Sequence, residues 1–279
     1  QQPPLQPPPP HHPPWHTASF GAALYINLAR RTDRRAQMEA MGAARGLQGL
    51  QRVEAATLDD AEVVELSDDF PGKEKGYHAN ACSHVRAWRQ VAALDGAQGG
   101  AACGDEQTGG EDAAAPVRSG AWALILEDDV CLHTEWRALL SAAAAAIENE
   151  GDGAAADCLL LDGLFITGEA SAEHGWLGPP SDGTHRAEGV AFSSAYALTA
   201  DAARWLLEVQ AARPGSSTES YLMMLQEERG RCWTHLPRLA LQRWDEDASS
   251  VCGKRTGSSM RSWYEANYFP RFPWSLYAV

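Results

Sequence analysis

The segment AWALILEDDV, residues 121–130, constrains the fold more than any other. Residues 121–126 are apolar without a break, which suits a strand buried on both faces, and such strands belong to sheets covered by helices. Three carboxylates then follow in a row, Glu127, Asp128 and Asp129. Like charges side by side repel one another, so the cluster calls for a positive partner. Period-2 geometry sets Glu127 and Asp129 on one side of the chain if the strand runs one residue past Leu126.

Elsewhere, strand and helix patterns alternate. AALYINL (22–28) reads as a buried strand, and TDRRAQMEAMGAARG (32–46) as a helix with Thr32 as its N-cap and Gly46 as its stop. LQRVEA (50–55) reads as a second strand. NACSHVRAWRQVAAL (80–94) sets Ala81, Val85, Trp88 and Ala92 on one helical stripe. A helix over 134–149 follows the acidic strand, then DCLLLDG (157–163) and GVAFSSAYALT (189–199) as two further strands. Thr199 caps a helix from 200, Ser217 caps TESYLMMLQEER (218–229), and Gly230 ends it. The fold class is therefore α/β, with a mostly parallel sheet flanked by helices. Ligands of such sheets sit off the carboxyl ends of the strands, which is where the three acids fall. Asn27, Arg31, Asp33 and Arg34 lie at another strand-to-helix turn, a natural nucleotide position.

The segments outside this pattern are distinct in composition. QQPPLQPPPPHHPPWH opens a proline-rich stretch, 1–19, expected to be a disordered linker, and it starts on Gln as a piece of a longer product would. Residues 95–120, rich in Gly, Ala and acids, are expected to form a low-complexity inserted loop within a domain spanning 20–255. The tail 256–279 is dense in aromatics and is expected to pack back onto that domain. No apolar run of about 18 residues occurs, so a membrane would be reached only through an anchor upstream. Net charge is −14, which argues against nucleic acid or an anionic membrane as the main partner. The six cysteines lack the paired spacing of a zinc site and read as buried thiols, although their even number permits disulfides.

The acids have three readings: a solvated turn, a metal site, or a phosphoacceptor cluster. Two carboxylates on one side suit a hard cation such as Mg²⁺ or Mn²⁺, which keeps positions open for phosphate oxygens. The phosphoacceptor reading would make Asp162 the acceptor. It requires a lysine from a later strand, and no Lys occurs between Gly163 and Gly253. It also leaves residues 20–120 unexplained.

Taken in order, the motifs resemble glycosyltransferase family 25, which includes bacterial lipooligosaccharide galactosyltransferases and collagen hydroxylysine galactosyltransferases. YINLARRTDRR (25–35) is similar to the family's opening strand and Arg-rich turn. GYHANACSHVRAW (76–88) is similar to its G-E-I-G-C-x-L-S-H-x-x-x-W segment at Ser83, His84 and Trp88. ALILEDDV (123–130) resembles its acidic strand end, and ADCLLLDG (156–163) and SSAYALTADAARWLL (193–207) its later strands. STESYLMML (217–225) resembles its P-V-D-x-x-L block and ASSV (248–251) its Ser-rich ending. Two departures stand out: Ala79 and Asn80 replace the family's Gly and Cys, and Glu219 stands where the family has Asp.

The resemblance implies a GT-A-like nucleotide-sugar-binding fold, a UDP-sugar donor (UDP-galactose in the best-known members), Mn²⁺ or Mg²⁺, and inversion at the anomeric carbon. It implies Glu127 and Asp129 as metal ligands, with Asn27, Arg31, Asp33, Arg34, Ser83, His84, Asp128 and Tyr196 toward the donor. The acceptor would be a hydroxyl of a glycan or of a protein side chain. Inversion needs a general base. Glu219 and Asp162 are the candidates, with Asp245 a third. Glu219 sits near the start of a capped helix, where the amide dipoles are expected to lower its pKa. The competing reading is a catalytically inactive relative that binds glycans or acts as a scaffold, suggested by Glu219, Asn80 and the 95–120 insertion. Family members work at bacterial inner membranes or in the eukaryotic secretory lumen, so the compartment stays open.

Overall fold

The computed structural model describes residues 20–242 apart from 48, 95–121, 150–155, 166–182, 188, 192 and 237. The expectations for 1–19, for the 95–120 insertion, for Asp245 and for the aromatic tail lie outside the described residues.

The largest sheet has seven strands. They are β1 (Phe20–Asn27), β2 (Leu50–Glu54), β3 (Trp122–Glu127), β5 (Cys158–Leu160), β7 (Gly183–Arg186), β9 (Ala195–Thr199) and β10 (Cys232–Leu236), in the spatial order β2-β1-β3-β9-β5-β10-β7. β1 pairs in parallel with β2 and β3, and β5 with β10. β9 runs antiparallel to both β3 and β5, and β7 antiparallel to β10. The sheet is therefore mixed but mostly parallel. β4 (Val130–Leu132) pairs with β11 (Ala240–Gln242), and β6 (Leu164–Phe165) with β8 (Val190–Ala191), as small antiparallel ribbons.

Strand alternation divides the core into two layers. Ala23, Tyr25, Leu124, Leu126, Leu159 and Ala197 face one side, packed with Met38 and Met41 of α1 (Thr32–Arg45) and Trp136 and Leu140 of α4 (Trp136–Asn149). Their neighbours Leu24, Ile26, Ala123, Ile125, Leu160 and Tyr196 face the other. There they meet Val85 and Trp88 of α3 (Lys75–Ala92), Leu206 of α5 (Ala200–Ala212), and Tyr221 and Leu225 of α6 (Thr218–Arg229). Covering both faces is what makes the strands read as continuous apolar runs. Each fully buried Leu or Ile contributes about 1.5–3 kcal/mol.

Several boundaries differ from the sequence expectation, each for a local reason. Thr32 is the first helical residue rather than the cap. Arg31 occupies the cap position, and its side chain makes no cap hydrogen bond. α3 starts at Lys75 rather than 80, and α2 (Ala61–Asp69), with buried Val63, was not anticipated. The segment 189–199 is two strands, β8 and β9, separated at Ser193 and Ser194. Thr199 and Ser217 do cap α5 and α6, accepting from the amides of Ala202 and Ser220. Gly46 and Gly230 end α1 and α6 at φ 66° and 65°, a left-handed backbone that favours glycine. Among the described residues Cys82, Cys131, Cys158 and Cys232 are buried and form no disulfide, and no helix is long and apolar enough to cross a membrane.

Candidate active site

The topology gathers the chemistry at one edge. β1, β3 and β5 point the same way, so Asn27, Glu127 and the residues just past Leu160 emerge together. β9 runs the other way, so Ser194, which precedes it, lies at the same edge. The Ser194 carbonyl accepts from the Glu127 amide at 2.7 Å. Asp162 is 2% exposed. Its Oδ2 accepts from the Ser194 amide at 3.2 Å and from the Ser194 hydroxyl, while its Oδ1 has no hydrogen-bond partner among the described residues.

Each acid of the 127–129 run has its own partners. Glu127 Oε1 accepts from Asn80 at 3.0 Å and His84 Nε2 at 3.1 Å, both on α3. Asp128 accepts from Asn27 at 2.8 Å and Arg34 at 2.7 Å. Asp129 accepts from the same Arg34 nitrogen at 3.3 Å. The Gln242 amide nitrogen, carried by β11 alongside β4, lies 3.4 Å from Glu127 Oε2 and from both oxygens of Asp129. Glu127 and Asp129 therefore converge on the Gln242 amide, although Asp128 and Asp129 form the turn between β3 and β4 and do not continue the strand. The positive partner of the run is buried Arg34, and it bridges two of the three acids.

One guanidinium does not neutralise this edge. Burial, then the charge of Glu127, pushes the Asp129 carboxyl up to about 7 against the pull of Arg34. Burial pushes Asp162 up to about 7 as well. For Glu127 burial would raise the carboxyl, but the His84 bond, that ring's charge when protonated, and the Asn80 bond hold it below the ordinary range. Glu219, in the first turn of α6, is raised by burial and then by Glu127. The expected lowering by the helix dipole is overturned, because desolvation and a nearby like charge outweigh a few amide N–H groups.

Other anticipated residues have different surroundings. Arg31 and Asp33 form an ion pair at the surface, 2.7 Å apart. The Ser83 hydroxyl accepts from the Ala56 amide and donates to the Ala79 carbonyl, which ties α3 to the end of β2. His84 and Tyr196 were expected to touch the donor, but both are 0% exposed. His84 bonds Glu127 and Tyr196 instead, and Tyr196 bonds His84 and Trp88. Asn80, Gln242, Arg52 and Ser194 were missed as site residues. Asn80, singled out only as a departure, links Glu127 to Thr218, and Arg52 donates to the side chain and carbonyl of Asn27.

No family model and no curated protein matches the chain. Among solved structures, it is similar to a glycosyltransferase involved in the glycosylation of the major capsid of PBCV-1. The identity is 10%, the coverage 88% of this chain and 98% of that one, and the TM-score 0.38.

Proposed function

We propose that the chain is an inverting glycosyltransferase that moves a hexose, galactose on the sequence resemblance, from a UDP-sugar to a hydroxyl of a glycan or protein side chain. The observation that carries this reading is the convergence of Glu127 and Asp129 on one point at the carboxyl end of β3. Burial first, and then the charge of Glu127, keep the Asp129 carboxyl as high as about 7. Two such oxygens fit Mn²⁺ or Mg²⁺, whose remaining positions belong to water and diphosphate. No group of three or more acid, His or Cys ligands occurs among the described residues, so the donor's own phosphates would have to complete the shell. When bound, the ion supplies charge stabilisation to the leaving diphosphate.

The chain's own residues do the rest. Arg34 and Asn27 hold Asp128 and keep the turn rigid. Glu219 is the acid we assign as base, because it is only partly buried while Asp162 is 2% exposed. Its raised pKa makes it a better proton acceptor than an ordinary carboxylate. It takes the acceptor hydroxyl's proton as that oxygen attacks the anomeric carbon opposite the leaving UDP.

The test is UDP release from a panel of UDP-sugars with Mn²⁺ and simple acceptors, beside calorimetry of UDP with and without Mn²⁺. Turnover is expected, and Glu219→Gln should lower kcat by about 10²–10⁴-fold while leaving UDP binding intact. Absence of both turnover and metal-linked UDP binding overturns the reading. A non-catalytic, glycan-binding or scaffold role is favoured by one observation, that Arg34 already supplies a cation to Asp128 and Asp129. UDP binding without transfer to any acceptor would select it.

A further inference from the structure

Four buried or half-buried side chains form one directed line of hydrogen bonds behind the acids. Trp88 Nε1 donates to the Tyr196 hydroxyl at 2.8 Å, because an indole N–H has no acceptor role. The Tyr196 hydroxyl lies 2.8 Å from His84 Nδ1, and His84 Nε2 lies 3.1 Å from Glu127 Oε1. Tyr196 is 0% exposed, so its proton cannot be given to solvent. A buried hydroxyl proton left without an acceptor is costly. His84 Nδ1 is the acceptor in reach, so the neutral ring carries its proton on Nε2 and donates it to Glu127. The rings of Tyr196 and His84 stack, 5.8 Å between centroids and 22° between planes, and Trp88 meets Tyr221 edge-on at 5.9 Å. Packing therefore fixes ring orientation as well as proton position.

We propose that Tyr196 is a positioning residue: by donating to His84 Nδ1 it anchors the imidazole in the Nε2–H tautomer that Glu127 also requires, so that the ring clamps Glu127 Oε1 and turns Oε2 toward Asp129. Asn80 makes the second bond to Oε1, so both hydrogen bonds from α3 fall on the same oxygen. Oε2 is left with Gln242, which it shares with Asp129. The ionised Glu127 carboxylate only accepts and so requires the same tautomer, which leaves the tyrosine to anchor the other side of the ring. Without its hydroxyl, Nδ1 loses its donor and the imidazole is held from the Glu127 side alone. The link from Oε2 to a cation rests on the proposed function. The tautomer assignment does not.

The experiment has two arms, both on the full chain. In the first, ¹⁵N-histidine-labelled protein without metal or nucleotide is examined by long-range ¹H–¹⁵N correlation at one neutral pH. The expected pattern for His84 is a protonated Nε2 and a hydrogen-bonded, unprotonated Nδ1, with the Nδ1 resonance shifted to that of a nitrogen without a donor in Tyr196→Phe. A protonated Nδ1 in the wild type, or an unchanged pattern in Tyr196→Phe, overturns the proposal. The wild-type spectrum decides alone should the variant not fold. A merely structural tyrosine would lower the melting temperature and leave the His84 nitrogens where they were. In the second arm, Mn²⁺ is titrated by electron paramagnetic resonance. Tyr196→Phe should weaken binding about tenfold, and His84→Gln, which keeps an N–H donor, should bind better than His84→Ala. If the wild type binds no Mn²⁺, the metal reading of the site fails and the first arm still judges the tautomer.

Discussion

Asp162 is where a single residue sets the behaviour of the edge. Its carboxyl titrates at about 7 in the folded chain against an ordinary 3.8, chiefly through burial. Between those values the folded chain holds a proton that the unfolded chain has released. Stability therefore falls as pH rises through the window, and the full penalty is in place above it. Asp162→Asn removes the charge, and its carbonyl oxygen can still accept the amide and hydroxyl of Ser194. The variant should melt higher than the wild type at about pH 8, by an amount on the order of a few kcal/mol, and lose that advantage near pH 4. Parallel thermal melts across that range check it, and equal pH dependence in the two proteins would refute the assignment. At this scale the acids were legible, because three charges ending an apolar strand are conspicuous in the sequence. Arg34 was legible only as one arginine among several. Asn80 and Gln242 were not, since an uncharged amide becomes a site residue only when the fold brings it 47 or 113 positions across the chain.

The strand-to-turn step after β5 depends on a small element. Gly163 is buried, and a Cβ there would stand 2.6 Å from Val190 Cγ1 and 2.7 Å from Thr234 Oγ1. Both neighbours sit on short strands, β8 and β10, that leave little room to retreat. The glycine is required for close approach, not for an unusual backbone angle. Gly163→Ala should destabilise the fold by about 1–3 kcal/mol through overpacking, and it should shift Asp162, its neighbour. Chemical denaturation measures the first effect, and a changed pH dependence of stability the second. A variant as stable as the wild type would mean that β8 yields easily. The sequence showed the elements it had length to show. Long apolar strands and capped helices were recognisable from periodicity and from Thr199, Ser217, Gly46 and Gly230. Ribbons such as β11, with only Ala-Leu-Gln, carry no period to read. The antiparallel direction of β9 was equally invisible, because a strand buried on both faces has the same apolar run either way.

For the molecule as a whole, the proposed function raises the question of how an acidic protein would admit an anionic donor. The chain carries −14 net charge, and its described site adds an acidic edge that Arg34 offsets only in part. A nucleotide diphosphate approaching alone meets repulsion over a Debye length, which shrinks from about 30 Å at 0.01 M salt to about 8 Å at 0.15 M. A divalent cation meets attraction over the same range. The two partners should therefore respond to ionic strength in opposite senses. Adding salt should weaken Mn²⁺ binding, and should leave metal-free UDP binding unchanged or stronger, as measured by calorimetry at several concentrations of an inert monovalent salt. The alternative is that a basic surface, rather than a cation on Glu127 and Asp129, receives the diphosphate. Metal-free UDP would then bind tightly at low salt and weaken steadily as salt is added, because each arginine or lysine contact to phosphate is screened in turn. That single reversal of slope separates a metal-bridged donor site from an arginine-bound one, and it does so whether or not the acceptor has been found.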